Sequence, residues 1–515
     1  MRLRSWLAVT AVGCALAVPA STLAQTAGGV MRVYHRDTPP SASIHEEATT
    51  STNMPFMSIY NNLVIFDQNE VKNTLDTIVP ELATSWSWDD SKTKLTFDLR
   101  EGVKWHDGKP FTSADVKCTW EMLLGTSAAK MRKNPRKSWY WNLKGVTTNG
   151  DMEATFELGQ PQPSFLALLA SGYSPVYPCH VAPKDMRTNP IGTGPFKFVS
   201  LKQNESIKFV KNEDYWKPGR AWFDAVELLN ITDPAARQNA LVTGEVDAIN
   251  AVDLKTVHLL SRRKDVRIDE VTGTSHYTMP MLTDLTPFDN RDVRLAMKYA
   301  IDREQFLEKI LRGHGRVGND HPIAPANRFF AEDLEQRAYD PDKARFHLKK
   351  AGMDGMKVEV SASDTAFNGA TDAAVLFKES AAAAGIDVTV KREPADGYWS
   401  NVWLKKPVCF SYWNGRPTED WMFSLAFASG VDWNESRWSN SRFDSLLLEA
   451  RSKLDDGKRR EMYGEMQSLV RDDGGVIVPL FANYVDASST RVAHGKLASN
   501  RFLDGWKVVE RWWMA

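Results

Sequence analysis

The sequence has few of the residues and motifs on which most bond-making or bond-breaking chemistry depends. It holds four cysteines and ten histidines in 515 residues. No Cys-x-x-Cys spacing occurs, which removes zinc ribbons and thioredoxin-like redox sites. A G-x-S-x-G elbow is missing, and no glycine-rich run ends in G-K-[ST] as a P-loop does. The histidines are scattered as surface or hydrogen-bonded residues. Charge of one sign is missing as well. Lys and Arg total 64 against 65 for Asp and Glu, without long blocks of like charge, so nothing favours nucleic acid or an anionic membrane. Past the N-terminal segment no run is apolar enough to span a bilayer. Tandem repeats and low-complexity linkers are absent too.

What remains is a globular chain, 43% hydrophobic and 10% aromatic, with length for about three domains. Its N-terminus begins MRLR, continues WLAVTAVGCALAV and ends in the small-residue stretch PASTLAQ. A positive, then apolar, then small-residue order is that of a secretory signal, with the junction read between Ala24 and Gln25. A lipid anchor on Cys14 is the alternative; the preceding TAVG lacks the usual leucine and the apolar run continues beyond the cysteine. Export into an oxidising space leaves Cys118, Cys179 and Cys409. One disulfide and one buried thiol is the simplest partition of three.

Periodicity predicts a mixed α/β fold. GGVMRVYHR reads as a first strand, and LATSWSWDDSKTKLTFDLREGVKW as a hairpin about a polar turn. FTSADVKCTWEMLLG begins with a Thr-Ser-Ala-Asp cap and carries an apolar stripe, so a helix follows. Beyond Pro190, NPIGTGPFKFVSLKQNESIKFVKNEDYW alternates as strands, and DPAARQNALVTGEVDAI is a capped helix ending at Gly244 before another strand. PFDNRDVRLAMKYAIDREQFLEKILRGHG holds two helices, and AYDPDKARFHLKKAGM another. KVEVSAS, a helix and IDVTVKREP form a β-α-β unit.

Three motif fragments have bland readings that outweigh the catalytic ones. His45 and Glu46 open an H-E-x-x-H string, but Thr49 stands where the second zinc histidine belongs. Ser91 to Lys94 matches S-x-x-K, yet falls in a hairpin turn rather than at a helix start. GTGPF, Gly192 to Phe196, runs into a strand, which suits a tight backbone crossing better than a phosphate cradle.

Four stretches in order resemble one family: ELATSWSWDDSKTKLTFDLREGVKWHDGKPFTSADV, NPIGTGPFKFVSLKQNESIKFVKNEDYW, PFDNRDVRLAMKYAIDREQF and YDPDKARFHLKKAGM. Together they resemble the family 5 extracellular solute-binding proteins of bacterial ABC importers, which include dipeptide-, oligopeptide- and nickel-binding proteins. The resemblance implies an α/β, two-lobed periplasmic binding protein fold of type II, with an extra domain inserted in the first lobe. Residues 1–24 are then the signal, and 25–50, 188–270 and 482–515 the first lobe. The inserted domain takes 51–187 and the second lobe 271–481. The resemblance further implies a periplasmic monomer, not an enzyme, that needs no cofactor, metal or nucleic acid. It hands a small-molecule ligand to membrane permease subunits. Within this layout Cys118 and Cys179 share the inserted domain and are the candidate disulfide, while Cys409 in the opposite lobe stays reduced.

Capture needs rigid aromatic faces and a few charged groups in a closing cleft. Most tryptophans serve as core or rim, but WYW at Trp139 to Trp141 and YWNGRPTEDW from Tyr412 sit in loops, where rings are free to meet a ligand. Peptide-binding relatives carry a pattern resembling W-x-x-D-x-x-[DE]-P-x-x-F, whose Asp faces the ligand ammonium. Here Trp413, Glu419 and Phe423 match, Arg416 replaces that Asp, and Asp420 replaces the Pro. The change of sign disfavours a plain peptide held by its amino terminus. Either Arg416 faces an anionic ligand group, or it pairs with Glu419 or Asp420 and never meets ligand. The candidate ligand-binding set is Trp413, Asn414, Arg416, Glu419, Asp420, Trp421, Trp139, Trp141, His45 and Glu46. Expected ligands are polar and small: a modified peptide, an opine-like conjugate or a chelate. The alternatives are a secreted hydrolase using Ser91 and Lys94, and a periplasmic chaperone or sensory co-receptor on the same fold.

Overall fold

The structure is a computed structural model that describes residues 25–35, 39–47, 53–71, 73–395, 397–499 and 501–515. The signal segment with Cys14, Thr49, and the expected boundary at 50 and 51 lie outside the described residues.

Three sheets organise the chain. The largest has seven strands in the order 266–271, 484–489, 248–249, 30–35, 225–230, 206–211 and 196–202. Its centre is parallel, with Val30–His35 running alongside Ala225–Asn230 from Val30↔Ala225 to His35↔Asn230; the pairings of the outer strands are antiparallel. A second, antiparallel sheet orders its strands 83–88, 94–99, 153–158 and 143–148. A third, also antiparallel, runs 315–317, 476–482, 275–280 and 411–414. Beside it the parallel pair Lys357–Ala362 and Asp387–Arg392 is bridged by the helix Ala370–Ala383.

Local sequence accounts for much of this. In Lys94–Leu99, Leu95, Phe97 and Leu99 are buried while Lys94 and Asp98 face water, the period-two pattern of a one-sided strand. The helix Ser113–Leu124 starts at Thr112, whose N–H donates to the Asp115 carboxylate at 3.0 Å, and stops at Gly125 in the left-handed region. Its buried stripe, Val116, Thr119, Trp120 and Leu123, follows the helical repeat. Burying the Trp120 ring alone contributes on the order of 2–3 kcal/mol. Asp115 also accepts from the Cys179 N–H at 2.8 Å, which brings the 179 loop onto this helix. There Cys118 and Cys179 form a disulfide with Cα atoms 5.7 Å apart. Cys409 is a free, buried thiol whose pKa burial pushes up.

The chain passes between the seven-stranded and the third sheet twice: from Val271 to Ser275, and at Asn483 between Ala482 and Tyr484. The first crossing needs a glycine. A Cβ on Gly273 would lie 2.3 Å from the Tyr484 ring and 2.7 Å from the Ser499 carbonyl. A second close approach joins this crossing to the loop after Ser411–Asn414, where a Cβ on Gly415 would stand 2.3 Å from Thr274. GTGPF is a crossing of the same kind: Gly194 N–H donates to the Ile59 carbonyl at 2.7 Å, and a Cβ on Gly192 would overlap that oxygen.

Candidate functional site

Strand Ser411–Asn414 forms the edge of the third sheet, and helix Glu419–Ala426 starts five residues later with Thr418 as its cap, Oγ1 accepting from the Trp421 N–H at 3.3 Å. Between them, Gly415 and Pro417 turn the backbone so that Arg416 is buried between two indoles. Its guanidinium carbon lies 5.7 Å from the Trp413 ring centroid and 5.4 Å from that of Trp421. Nη1 donates to the carbonyls of Gly415 at 2.8 Å and Asn414 at 3.4 Å, while the buried Nε has no partner among the described residues. Burial, and then the charge of Arg501, push the Arg416 pKa down to about 10. Arg501 reaches the same place from the C-terminal segment: its Nη1 donates to the Asn414 carbonyl at 3.0 Å, and its guanidinium lies 5.5 Å from the Trp506 ring.

Around the arginines runs a chain of aromatic rings drawn from distant parts of the sequence. Trp421 meets Trp139 edge-on at 5.3 Å, Trp139 meets Tyr173 at 5.6 Å, and Tyr173 meets Trp506 at 5.6 Å. Trp506 belongs to the core under the seven-stranded sheet with Met31, Val33 and Val226, so the seam joins that sheet to the third. Arg136 braces it, 5.1 Å from the Tyr173 ring and bonded through Nη1 and Nη2 to the carbonyls of Ile44 and Glu47. A second tie lies alongside. The Asp420 carboxylate accepts from Ser164 Oγ at 2.8 Å and Arg451 Nε at 2.6 Å, and the Arg451 guanidinium lies 5.1 Å from the ring of Trp141, which is 49% exposed. Two cations and several flat faces, with the Arg416 guanidinium buried, are a setting for an anionic or strongly hydrogen-bond-accepting group.

Comparison with known proteins places the fold. The family model "Bacterial extracellular solute-binding proteins, family 5 Middle" matches residues 77–435. The chain belongs to this family. Heme-binding protein A of Haemophilus influenzae is 27% identical over 460 residues, covering 82% of this chain and 81% of the relative. The dipeptide-binding protein of Pseudomonas aeruginosa is 26% identical over 533 residues, covering 96% of each. Among solved structures, the periplasmic binding protein DppA of Helicobacter pylori, in complex with the peptide STSA, superposes with a TM-score of 0.80. It is 24% identical and covers 93% of this chain and 98% of its own. As a family 5 protein this chain has the two-lobed binding-protein fold, and its role is that of an ABC importer's solute-binding component.

The side chains in this family 5 protein distribute the expected site residues unevenly. Trp413, Asn414, Arg416, Trp421 and Trp139 come together, and Asp420 and Trp141 stand at the neighbouring tie. The expected alternative that Arg416 pairs with Glu419 or Asp420 is corrected by the structure. Asp420 is taken by Arg451, and Glu419 turns inward, accepting from the Phe329 N–H at 2.7 Å with its pKa raised by burial. The cause is the Thr418 cap, which starts the helix so that Glu419 points into the protein.

His45 and Glu46 make no hydrogen bond or ion pair to Arg416 or Arg501 among the described residues, although Arg136 is held by the carbonyls on either side of them. His45 is buried against the Tyr177 ring at 4.3 Å, with Nε2 2.8 Å from the Pro175 carbonyl, and burial holds its pKa at about 3. Glu46 makes a two-bond pair with Arg187 at 2.7 and 2.9 Å. Ser91 lies in an exposed hairpin turn, donating to Asp89, and the Lys94 amine faces Glu157 rather than the serine. No cluster able to hold a metal occurs among the described residues. Sequence reasoning missed Arg501, Tyr173 and Trp506. Each comes from a segment with no local motif, and only tertiary packing brings it to the neighbourhood of Arg416.

Proposed function

We propose that this protein captures a small polar ligand bearing a carboxylate or a similar anionic group between its two lobes and delivers it to the permease of an ABC importer. The single observation that carries this reading is Arg416: a buried guanidinium between two indoles, at the meeting of the lobes, with no carboxylate in an ion pair with it among the described residues. A buried cation without a counter-charge is costly unless something supplies one. An anionic ligand group supplies it, while Trp413, Trp421 and Trp139 offer it flat apolar walls. The segments at 272–274 and Asn483 act as the hinge, and ligand binding holds the lobes together. The names of relatives fit such a ligand without fixing it: a dipeptide carries a carboxylate, and so does heme.

The reading is tested by native mass spectrometry of whatever copurifies with gently isolated protein, followed by calorimetric titration of each candidate. An anionic ligand bound one to one, and lost on Arg416→Ala, supports the proposal. A bound ligand whose affinity ignores Arg416 overturns it.

A further inference from the structure

The third sheet carries a row of directly paired residues: Arg316 opposite Phe481, Phe481 opposite His276, and His276 opposite Trp413. Paired residues project from the same face, and strands lie about 4.8 Å apart, so the row spans roughly 14 Å. Trp413 and Arg416 stand at one end. At the other, a cavity of about 340 Å³ opens between strand Gly315–Val317 and the segment from Asn319 to Gln336. It is lined by residues of the second lobe alone, His321, Phe330 and Phe481 among them.

His321 is 1% exposed, and neither of its ring nitrogens has a hydrogen-bond partner among the described residues. Burial holds its pKa at about 3, so the ring is neutral and offers one N–H and one lone pair. Each unpartnered group of this kind costs about 1–3 kcal/mol unless water or a ligand satisfies it. The Phe330 ring lies 5.8 Å from the imidazole, tilted 43°, and Phe481 supplies a second apolar face. The volume is at the lower end of small-molecule pockets, roughly 300–1,000 Å³. Charged Arg316, Glu332, Asp333 and Glu335 gather only among the more exposed lining residues, so the interior suits a neutral group and disfavours an ion.

We propose that this cavity is a second binding site, which takes a neutral planar heteroaromatic ring of nucleobase or benzimidazole size against Phe330 and Phe481, hydrogen-bonded to His321. The site does not depend on Arg416 and stands even if Arg416 proves structural.

Benzimidazole, adenine and uracil serve as probes, titrated into the full mature chain by calorimetry and by NMR of the histidine ring nitrogens. At least one ring should bind saturably, one to one, and shift the His321 resonances. His321→Phe should weaken that binding at least tenfold, Ala331→Trp should block it by filling the cavity wall, and Arg416→Ala should leave it unchanged. If His321→Phe does not fold, Ala331→Trp decides alone. Failure of all three rings to bind overturns the proposal, and so does binding that survives both cavity variants. Loss of ring binding in Arg416→Ala puts the ring in the cleft and overturns a separate site.

Discussion

Arg416 and Arg501 donate to one carbonyl, that of Asn414, at 3.4 and 3.0 Å, although 84 residues separate them in the chain. Two like charges meet here, and the charge of Arg501 helps burial to push down the Arg416 pKa. An anion placed there would relieve the repulsion and supply the missing counter-charge together. Arg416→Ala should therefore weaken ligand binding by about 2–5 kcal/mol, roughly 30-fold to several thousand-fold. Arg416→Lys should recover part of this, since an ammonium cannot reproduce the planar fork. Arg416→Asp should abolish it and admit ligands with a free ammonium group. Calorimetric titration of the three folded variants checks the series.

Arg501→Gln separates charge from packing. If Arg501 opposes closure without ligand, its loss stabilises the unliganded protein by on the order of 1 kcal/mol and weakens the anionic ligand. A merely structural arginine gives destabilisation and no change in affinity. Urea unfolding of the unliganded variant, set beside its ligand titration, reads both signs.

His45→Gln tests a residue that sequence made a ligand candidate and the structure places against Tyr177. The folded pKa of about 3 lies below the unfolded value of about 6.5, so the unfolded chain takes a proton that the native chain refuses. Its contribution to stability is full above about pH 6.5 and is lost as pH falls toward 3, by about 1.4 kcal/mol per unit. The variant lacks this proton, so its stability should fall less steeply than wild type between about pH 7 and pH 4.5. Ligand affinity at neutral pH should not change. Urea midpoints across that range check the slope, and a titration checks the affinity.

These residues show how much of the fold and site could be read from sequence. The Leu95–Phe97–Leu99 alternation and the Thr112 cap are fixed by neighbours in the chain, so pattern sufficed for them, and the glycines of GTGPF signalled a close crossing whose partner, Ile59, lies far away in the chain. Arg416 was legible as an oddity, because it breaks a local pattern of aromatic and acidic residues. Its partners were not. Spacing along the chain suggested Glu419 or Asp420, but the Thr418 cap sends Glu419 toward Phe329, and Arg451 takes Asp420. Arg501, Tyr173 and Trp506 arrive through tertiary packing that leaves no local trace, and the partner of His45 Nε2 is the Pro175 carbonyl, 130 positions away.

Ser164 offers a probe of closure that leaves the arginines untouched. Its hydroxyl donates at 2.8 Å to Asp420 at the start of helix Glu419–Ala426, 256 residues away in the chain. Asp420 keeps Arg451 as its partner when that hydroxyl is removed, so no buried charge is orphaned and the cost stays that of one hydrogen bond, about 0.5–1.5 kcal/mol. On the expected layout, with Ser164 in the first lobe's insertion and Asp420 in the second lobe, the contact forms as the lobes meet. Its loss should therefore appear in the rate of opening and not in the encounter with ligand. Ser164→Ala should raise the dissociation rate about 2- to 12-fold, with the association rate unchanged and the unliganded stability nearly so. Stopped-flow tryptophan fluorescence, sensitive to Trp139 and Trp421 in the seam, measures both rates. A lower association rate with unchanged dissociation would mean that Ser164 shapes the open site, and an effect on neither would remove the hydrogen bond from the closing contact.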